Sequence, residues 1–238
     1  MKEKIILFTR VPKEGTTKTR LYDFMSPTEA VNIQKKLLKK NYDLLAETNR
    51  ELLVCHDGNN SDDKEMAELI SCDKFYYQKG DNLGDKMYNA LEEVISDSKV
   101  ILLGSDIFNL DKDIIEEAFE KLETHDIVIN PSEDGGYFLI GMKKAIKEVF
   151  DLPSYGDSSV LENLIKVLEK NNLTYYLGRA ALDIDIKEDL LYAETGYKNI
   201  KLLGAGEYNI NFTFDEDNMK KVLRLNMKSQ MNLDNQIE

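Results

Sequence analysis

The sequence predicts an α/β protein with a mostly parallel, mixed sheet flanked by helices. Three observations predict it. Val100, Ile101, Leu102 and Leu103 form a continuous apolar run with polar neighbours on both sides, the pattern of a strand buried on both faces in the middle of a parallel sheet. Short strand-like runs alternate with longer helical segments through the first 196 residues, which implies βαβ units. Two of these runs come close together around Asp134, so one of them is expected to be antiparallel.

In order, Lys4–Thr9 reads as a first buried strand, and Arg10–Arg20 as a loop by its Pro12 and Gly15. Ser26 and Pro27 open a long helix that runs to about Thr48, with proline at the first helical position. A strand at Leu52–Cys55, a helix at Asp62–Ile70 and a strand at Phe75–Tyr77 follow. The next helix starts near Asn82 and places Leu83, Met87, Ala90, Leu91 and Val94 on its inner face. After the strand Lys99–Asp106 come a helix from Asp111 to about Glu123, a strand Ile127–Ile129, a turn Pro131–Gly136 and a strand Tyr137–Gly141. Helices at Lys143–Phe150 and Ser158–Lys170, a strand at Leu173–Leu177 and a helix from near Lys187 complete this part.

From Asn199 the texture changes to three strand-like runs, Ile200–Leu203, Tyr208–Phe214 and Val222–Leu225, with Gly204 and Gly206 as turns. We therefore expect a main domain at 1–197 and a small β-rich C-terminal appendage at 198–238.

A chain of 238 residues, 42% apolar and 32% charged, can bury one substantial core. No apolar run approaches the ~20 residues needed to cross a bilayer. The net charge of −13 argues against a general nucleic-acid binder. From Tyr197 onward acids and bases balance at six each, so the first 196 residues carry the whole excess. A nucleotide could still bind such a domain through a local basic loop or a metal. Cys55 and Cys72 have no metal-ligand spacing, so a reduced, cytoplasmic setting is expected.

Four stretches carry candidate chemistry. The loop Arg10–Arg20 holds Arg10, Lys13, Lys18 and Arg20 against one acid, Glu14. Gly15 allows close approach of backbone amides, which together suits a polyphosphate, although a solvated basic loop has the same composition. Gln78–Met87, with Gly80 and Gly84, feeds a helix N-terminus that suits an anion, and Gln78 is able to read a base edge. A plain strand–turn–helix connection capped by Asp81 or Asn82 reads the same way.

Asp106 emerges where the central strand leaves the core, the place where open α/β sheets bind ligands. Asp111 is the better cap for the next helix, which leaves Asp106 to hold Mg²⁺ or Mn²⁺, with Asp185 as a second carboxylate. Asp185 reads equally well as part of a polar strand edge. Asn130–Tyr137 is a turn by its Asp-Gly-Gly run. Its Gly135 and Gly136 would also let an acceptor approach, and Asp134 would act as a base or orient a hydroxyl. His56 and His125 are read as structural.

Together, P-x-x-G-x-x-K-T-R-L, Q-x-G-x-x-L-G-x-x-M, G-S-D, D-G-G-Y-x-L-I-G and D-x-D-x-x-x-D-L resemble the selenodomain-associated (radical-SAM-linked) glycosyltransferase family, over about residues 4–195. That family belongs to the GT-A nucleotide-diphospho-sugar transferase superfamily. The resemblance implies a Rossmann-like GT-A fold and a metal-dependent nucleotide site. It implies that Lys18 and Arg20 contact phosphates, Asp106 the metal, and the loop through Tyr137 the acceptor. The same K-T-R-L and strand-end Asp also resemble guanylyltransferases of cofactor pathways. Where the family has Cys-Pro after G-S-D, this chain has Ile107 and Phe108, and it contains no Trp. The tail resembles the start of a choline- or aminoglycoside-kinase-like phosphotransferase, and the resemblance implies a fused or separate kinase partner domain, with the chain expected to be either a fragment of a bifunctional protein or the product of a gene broken after its first domain.

The expected function is glycosyl transfer from a nucleotide sugar to a small-molecule acceptor. The alternative is nucleotidyl transfer from an NTP to a phosphorylated small molecule, and the alternative of another class is a degenerate nucleotide-binding domain without catalysis.

Overall fold

The structure is a computed structural model, and it describes residues 1–187, 189–190, 193, 209–211 and 224–226. The chain divides into two compact units. One consists of Met1–Pro12 and Gln34–Asp183, the other of Lys13–Ile33 and Ile184–Glu238.

The first unit contains strands β1 (Lys2–Thr9), β2 (Glu51–His56), β3 (Phe75–Tyr77), β4 (Ser98–Gly104), β5 (Ile127–Pro131), β6 (Tyr137–Met142) and β7 (Tyr175–Leu177). They form one sheet in the order β3-β2-β1-β4-β6-β5-β7. All neighbours pair in parallel except β6, which is antiparallel to both β4 and β5. This is the mixed, mostly parallel sheet expected, and β6 supplies the antiparallel strand beside Asp134.

Helix α1 (Pro27–Ala46) enters this unit from Gln34 onward. It is followed by α2 (Asp63–Ile70), α3 (Leu83–Val94), α4 (Lys112–Lys121) and α5 (Val160–Lys170). Alternation along the strands feeds two cores. Ile5, Leu7, Ile101 and Leu103 face Leu38, Leu45, Met66, Ile115 and Phe119 on α1, α2 and α4. Ile6, Val100 and Leu102 face Met87, Leu91, Phe150, Leu164 and Leu168 on α3, α5 and the segment between β6 and α5. Val100, Ile101 and Leu103 are wholly buried, as a central strand with helices on both faces requires.

The helix starts follow local chemistry. Ser26 Oγ and Glu29 form a capping box at the start of α1. Asn82 accepts from the Asp85 amide at 2.9 Å to cap α3, and Asp111 accepts from the Ile114 amide at 2.9 Å to cap α4.

Two local expectations are corrected. The helix expected at Lys143–Phe150 is only a short 3₁₀ turn, Lys147–Phe150, because the apolar spacing there is too brief to bury a helical face. Leu83 is 43% exposed rather than on the inner face of α3, and the buried position in that first turn belongs to its neighbour Gly84.

Beyond Asp183, most of the helix expected from Lys187 and the Gly196–Lys198 boundary lie outside the described residues, as do Ile200–Leu203, Gly204 and Gly206. The described residues of the tail include an antiparallel pair, β8 (Asn209–Asn211) with β9 (Arg224–Asn226).

Candidate active site

The strand order places β2 and β3 on one side of β1 and β4 on the other. The carboxyl ends of β1 and β4 therefore flank a topological switch point, where α/β sheets open a ligand crevice. Thr9 closes β1, and Ser105 and Asp106 follow β4. Thr9 Oγ1 and Ser105 Oγ lie 2.8 Å apart across that point, both buried.

Asp106 is half-buried. Its Oδ1 accepts from Gln34 Nε2 at 2.6 Å and from Ser105 Oγ at 2.9 Å. Gln34 Nε2 also reaches Ser105 Oγ at 2.9 Å. Seven residues along α1, Asn41 Nδ2 donates to the carbonyls of Ser105 and Ile107 at 2.8 and 3.0 Å. The turn that carries Asp106 is thus gripped from α1 by two buried amides. Beyond it, Ile107 pairs with Asp183, and the Phe108 amide donates to the Leu182 carbonyl at 2.8 Å. The start of the D-I-D segment therefore runs beside the Asp106 turn.

Gln78 follows β3, and its Nε2 donates to the Thr9 carbonyl at 2.8 Å. It ties the end of β3 to the end of β1. Gly80 packs against Asp85 in the first turn of α3. Gly84 is buried in that turn, and a Cβ there would strike the Phe150 carbonyl and the Tyr155 ring. Close packing accounts for this glycine.

In the D-G-G-Y turn, Asp134 Oδ1 accepts from Ser132 Oγ at 2.5 Å and from the Gly136 amide at 3.0 Å. Gly135 has φ +93°, and a side chain there would meet the backbone of Ser158. The Tyr137 hydroxyl lies 3.8 Å from Met87 Sδ on α3. Burial raises its pKa well above the ordinary tyrosine value, with Tyr155 contributing. Tyr155 donates to the Phe150 carbonyl at 3.0 Å, and burial pushes its hydroxyl up to about 12.

His56 is wholly buried. It accepts from the Gly58 amide on Nδ1 and faces Asp63 from Nε2 at 3.2 Å, so it holds the loop after β2. His125 lies beside Thr124 and the Lys121 carbonyl. Cys55 is buried, and desolvation pushes its thiol up to about 12.

Arg10 is exposed at the end of β1. In the second unit, the Gly15 amide donates to the Tyr22 hydroxyl at 2.8 Å, so this amide is engaged within the loop. Lys18 is buried with φ 47°, and its ammonium donates to the Ile184 carbonyl. Arg20 Nη1 pairs with Asp185 Oδ2 at 2.6 Å. The two carboxylates expected to share a metal, Asp106 and Asp185, belong to different units.

Among the described residues, no three His, Cys, Asp or Glu side chains gather to hold a metal, so no all-protein cage exists there. A single carboxylate at a strand end nevertheless fits a hard cation that arrives with substrate phosphates, since such ions take one or two protein oxygens and keep several others. Asp106 meets that requirement.

Sequence reasoning missed Gln34, Asn41, Thr9 and Ser105. The available signal was the pair of amides spaced by seven on the apolar stripe of α1, among Leu37, Leu38 and Leu45.

A family profile described as an uncharacterized protein conserved in bacteria (DUF2064) matches residues 40–157. The 2-phospho-L-lactate guanylyltransferase of Methanocaldococcus jannaschii is 28% identical over 200 residues, covering 80% of this chain and 81% of that protein. A crystal structure from Desulfovibrio desulfuricans G20, assigned as a nucleotide-diphospho-sugar transferase, superposes with TM-score 0.76 at 26% identity, over 84% of this chain and 90% of that one. The 4-diphosphocytidyl-2C-methyl-D-erythritol synthase of Anaerococcus prevotii matches with TM-score 0.51 at 12% identity, over 80% and 94%, which speaks to the fold alone. The fold is thus of the nucleotide-diphospho-sugar transferase type.

Proposed function

We propose that this protein is a nucleotidyltransferase that moves a nucleoside monophosphate from an NTP to a small phosphorylated acid. Glycosyl transfer, the main expectation from sequence, gives way to its alternative. Similarity to guanylyltransferases over four-fifths of the chain favours this reading. The observation that carries it is the placement of Asp106 at the switch point, held by Gln34 and Ser105.

The reaction forms a bond between an acceptor phosphate oxygen and the α-phosphorus, and breaks the bond from that phosphorus to the bridging oxygen. Pyrophosphate leaves. No covalent enzyme intermediate is needed, so the protein's work is positioning and charge stabilisation. Asp106 would hold a Mg²⁺ or Mn²⁺ ion, which when bound offsets charge on the triphosphate. Arg10, Lys18 and Arg20 are proposed for donor phosphates on their charge and their place after β1. Gln78, Gly80 and Gly84 are proposed near the nucleotide through the start of α3, and Gly135, Gly136 and Tyr137 with Asp134 near the acceptor. The relatives' named substrate is a small phosphorylated carboxylic acid, which suggests that class of acceptor. A kinase that makes the phosphorylated acid is a fitting partner, and the kinase-like tail remains a proposal.

The test is product analysis with purified protein, Mg²⁺ or Mn²⁺, each of the four NTPs and a panel of small phosphorylated carboxylates. Pyrophosphate release is expected with one base preferred. A second reading, glycosyl transfer, is favoured by the Desulfovibrio structure and predicts a nucleoside diphosphate released from a nucleotide sugar instead. Nucleotide-dependent thermal stabilisation with neither product would leave a binding domain.

A further inference from the structure

Helix α1 carries Gln34 and Asn41 on the face that also carries Leu37, Leu38 and Leu45, and buries both amides to 3% and 0% exposure. Burying an amide is costly unless its polar atoms are bonded. Asn41 has an evident packing return, because it satisfies two carbonyls of the turn after β4. Gln34 does not follow that pattern. Its Nε2 goes to one carboxylate oxygen and one hydroxyl instead of to the backbone, and its Oε1, like Asn41 Oδ1, is buried with no hydrogen-bond partner.

Reversing the amide does not relieve this. Oε1 would then face the Asp106 carboxylate, and two acceptors would repel. A leucine or methionine would fill the same volume without leaving a buried acceptor unsatisfied. The sequence instead keeps a donor aimed at Asp106.

The hydroxyls extend the arrangement. Ser105 has one proton and Thr9 has one. Ser105 donates to Asp106 Oδ1 while its oxygen accepts from Gln34, and Thr9 Oγ1, 2.8 Å from Ser105 Oγ, has the Arg10 carbonyl as an acceptor at 3.0 Å. Gln34 and Ser105 thus both point a donor at the one anion, where charge-assisted bonds are strongest. Both donors land on Oδ1, so the carboxylate is fixed in rotation about its Cβ–Cγ bond.

We propose that Gln34 is a positioning residue for the transfer reaction: with Ser105 it locks the Asp106 carboxylate in the orientation that meets the donor's cation. This rests on the reading of Asp106 given above.

The test compares wild type with Gln34→Met, Gln34→Glu and Ser105→Ala. Mn²⁺ binding in the presence of GTP is followed by electron paramagnetic resonance, rates by pyrophosphate release, and folding by thermal unfolding in EDTA. Gln34→Met is expected to fold, to bind Mn²⁺ about tenfold more weakly and to lose kcat with little change in acceptor KM. In Gln34→Glu the introduced carboxyl donates only when protonated, so its Mn²⁺ affinity rises as pH falls from 8 to 6, while that of Gln34→Met shows no such rise. A merely structural role does not produce that profile. Wild-type Mn²⁺ affinity and rate in Gln34→Met overturn the inference alone. A wild-type protein that neither binds Mn²⁺ with GTP nor releases pyrophosphate overturns the functional reading, and this inference with it. A Gln34→Met chain that does not fold shifts the decision to Gln34→Glu, where an unchanged affinity across that pH range overturns the proposal.

Discussion

Arg20 and Asp185 are each other's partners: Nη1 and Oδ2 lie 2.6 Å apart, with the two side chains 61% and 42% exposed. The residue proposed for phosphate and the residue expected at the metal thus meet as an ion pair within one unit. An exposed pair of this kind is worth only about 0–1 kcal/mol. A polyphosphate that gives Arg20 a more highly charged acceptor displaces Asp185 at small cost.

Arg20→Ala is therefore expected to leave thermal stability nearly unchanged while raising the KM for the NTP roughly 10–100-fold, the worth of one or two charge-assisted hydrogen bonds. Steady-state kinetics against a melting curve of the same preparation checks this. A tenfold loss of kcat at constant KM would show that Arg20 acts only in the transition state. A melting temperature lower by many degrees would show a structural role.

Asn41→Leu removes the two bonds that hold the Ser105 and Ile107 carbonyls. Leaving buried acceptors unpaired costs about 1–3 kcal/mol. Because the turn carries Asp106, we expect a destabilised protein that also transfers more slowly. Urea unfolding and pyrophosphate release measure the two effects separately. Full activity at reduced stability would mean that the turn keeps its shape without Asn41.

Much of this was legible in advance, for identifiable reasons. Val100–Leu103 announced a central strand because only a strand covered on both faces is uniformly apolar. Asp111 and Asn82 announced helix starts because capping is local chemistry. The strand-end position of Asp106 followed from the same run. What holds Asp106 was not legible, because Gln34 and Asn41 lie about seventy residues away in sequence and come to Ser105–Ile107 only through packing of α1 on the sheet. Gly84 read as part of an anion-binding loop, yet its nearest neighbours are the Phe150 carbonyl and Tyr155. A close-packing glycine and a ligand-approach glycine look alike in sequence.

Gly135 is required by its conformation and by its neighbour. With φ +93° and a would-be Cβ 2.8 Å from Ser158 Cα, Gly135→Ala is strained on both counts. We expect a loss on the order of 2–3 kcal/mol, read as a lower urea midpoint at unchanged slope. The Gly135 carbonyl also accepts from the Leu161 amide at 3.0 Å in the first turn of α5, so faster amide exchange in that turn should accompany the loss. A midpoint equal to wild type would show that the turn relaxes freely.

Lys40 gives the pH prediction. Burial against Phe108 lowers its ammonium from 10.5 to about 8, and it donates to the Phe108 carbonyl. Between about pH 8 and 10.5 the unfolded chain holds more protons at this position than the folded one, so this residue's contribution to stability rises with pH across that window. Cys55, pushed from 9 to about 12, acts in the opposite sense, because there the folded state keeps its proton longer. The comparison must therefore be between proteins, not along one curve. Lys40→Met removes the lysine's titration and leaves the other groups in place, so its stability relative to wild type should fall by on the order of 1–3 kcal/mol between pH 8 and 10.5. Urea unfolding of both proteins at three pH values across the window gives the difference. A difference independent of pH would show that Lys40 titrates normally in the folded protein.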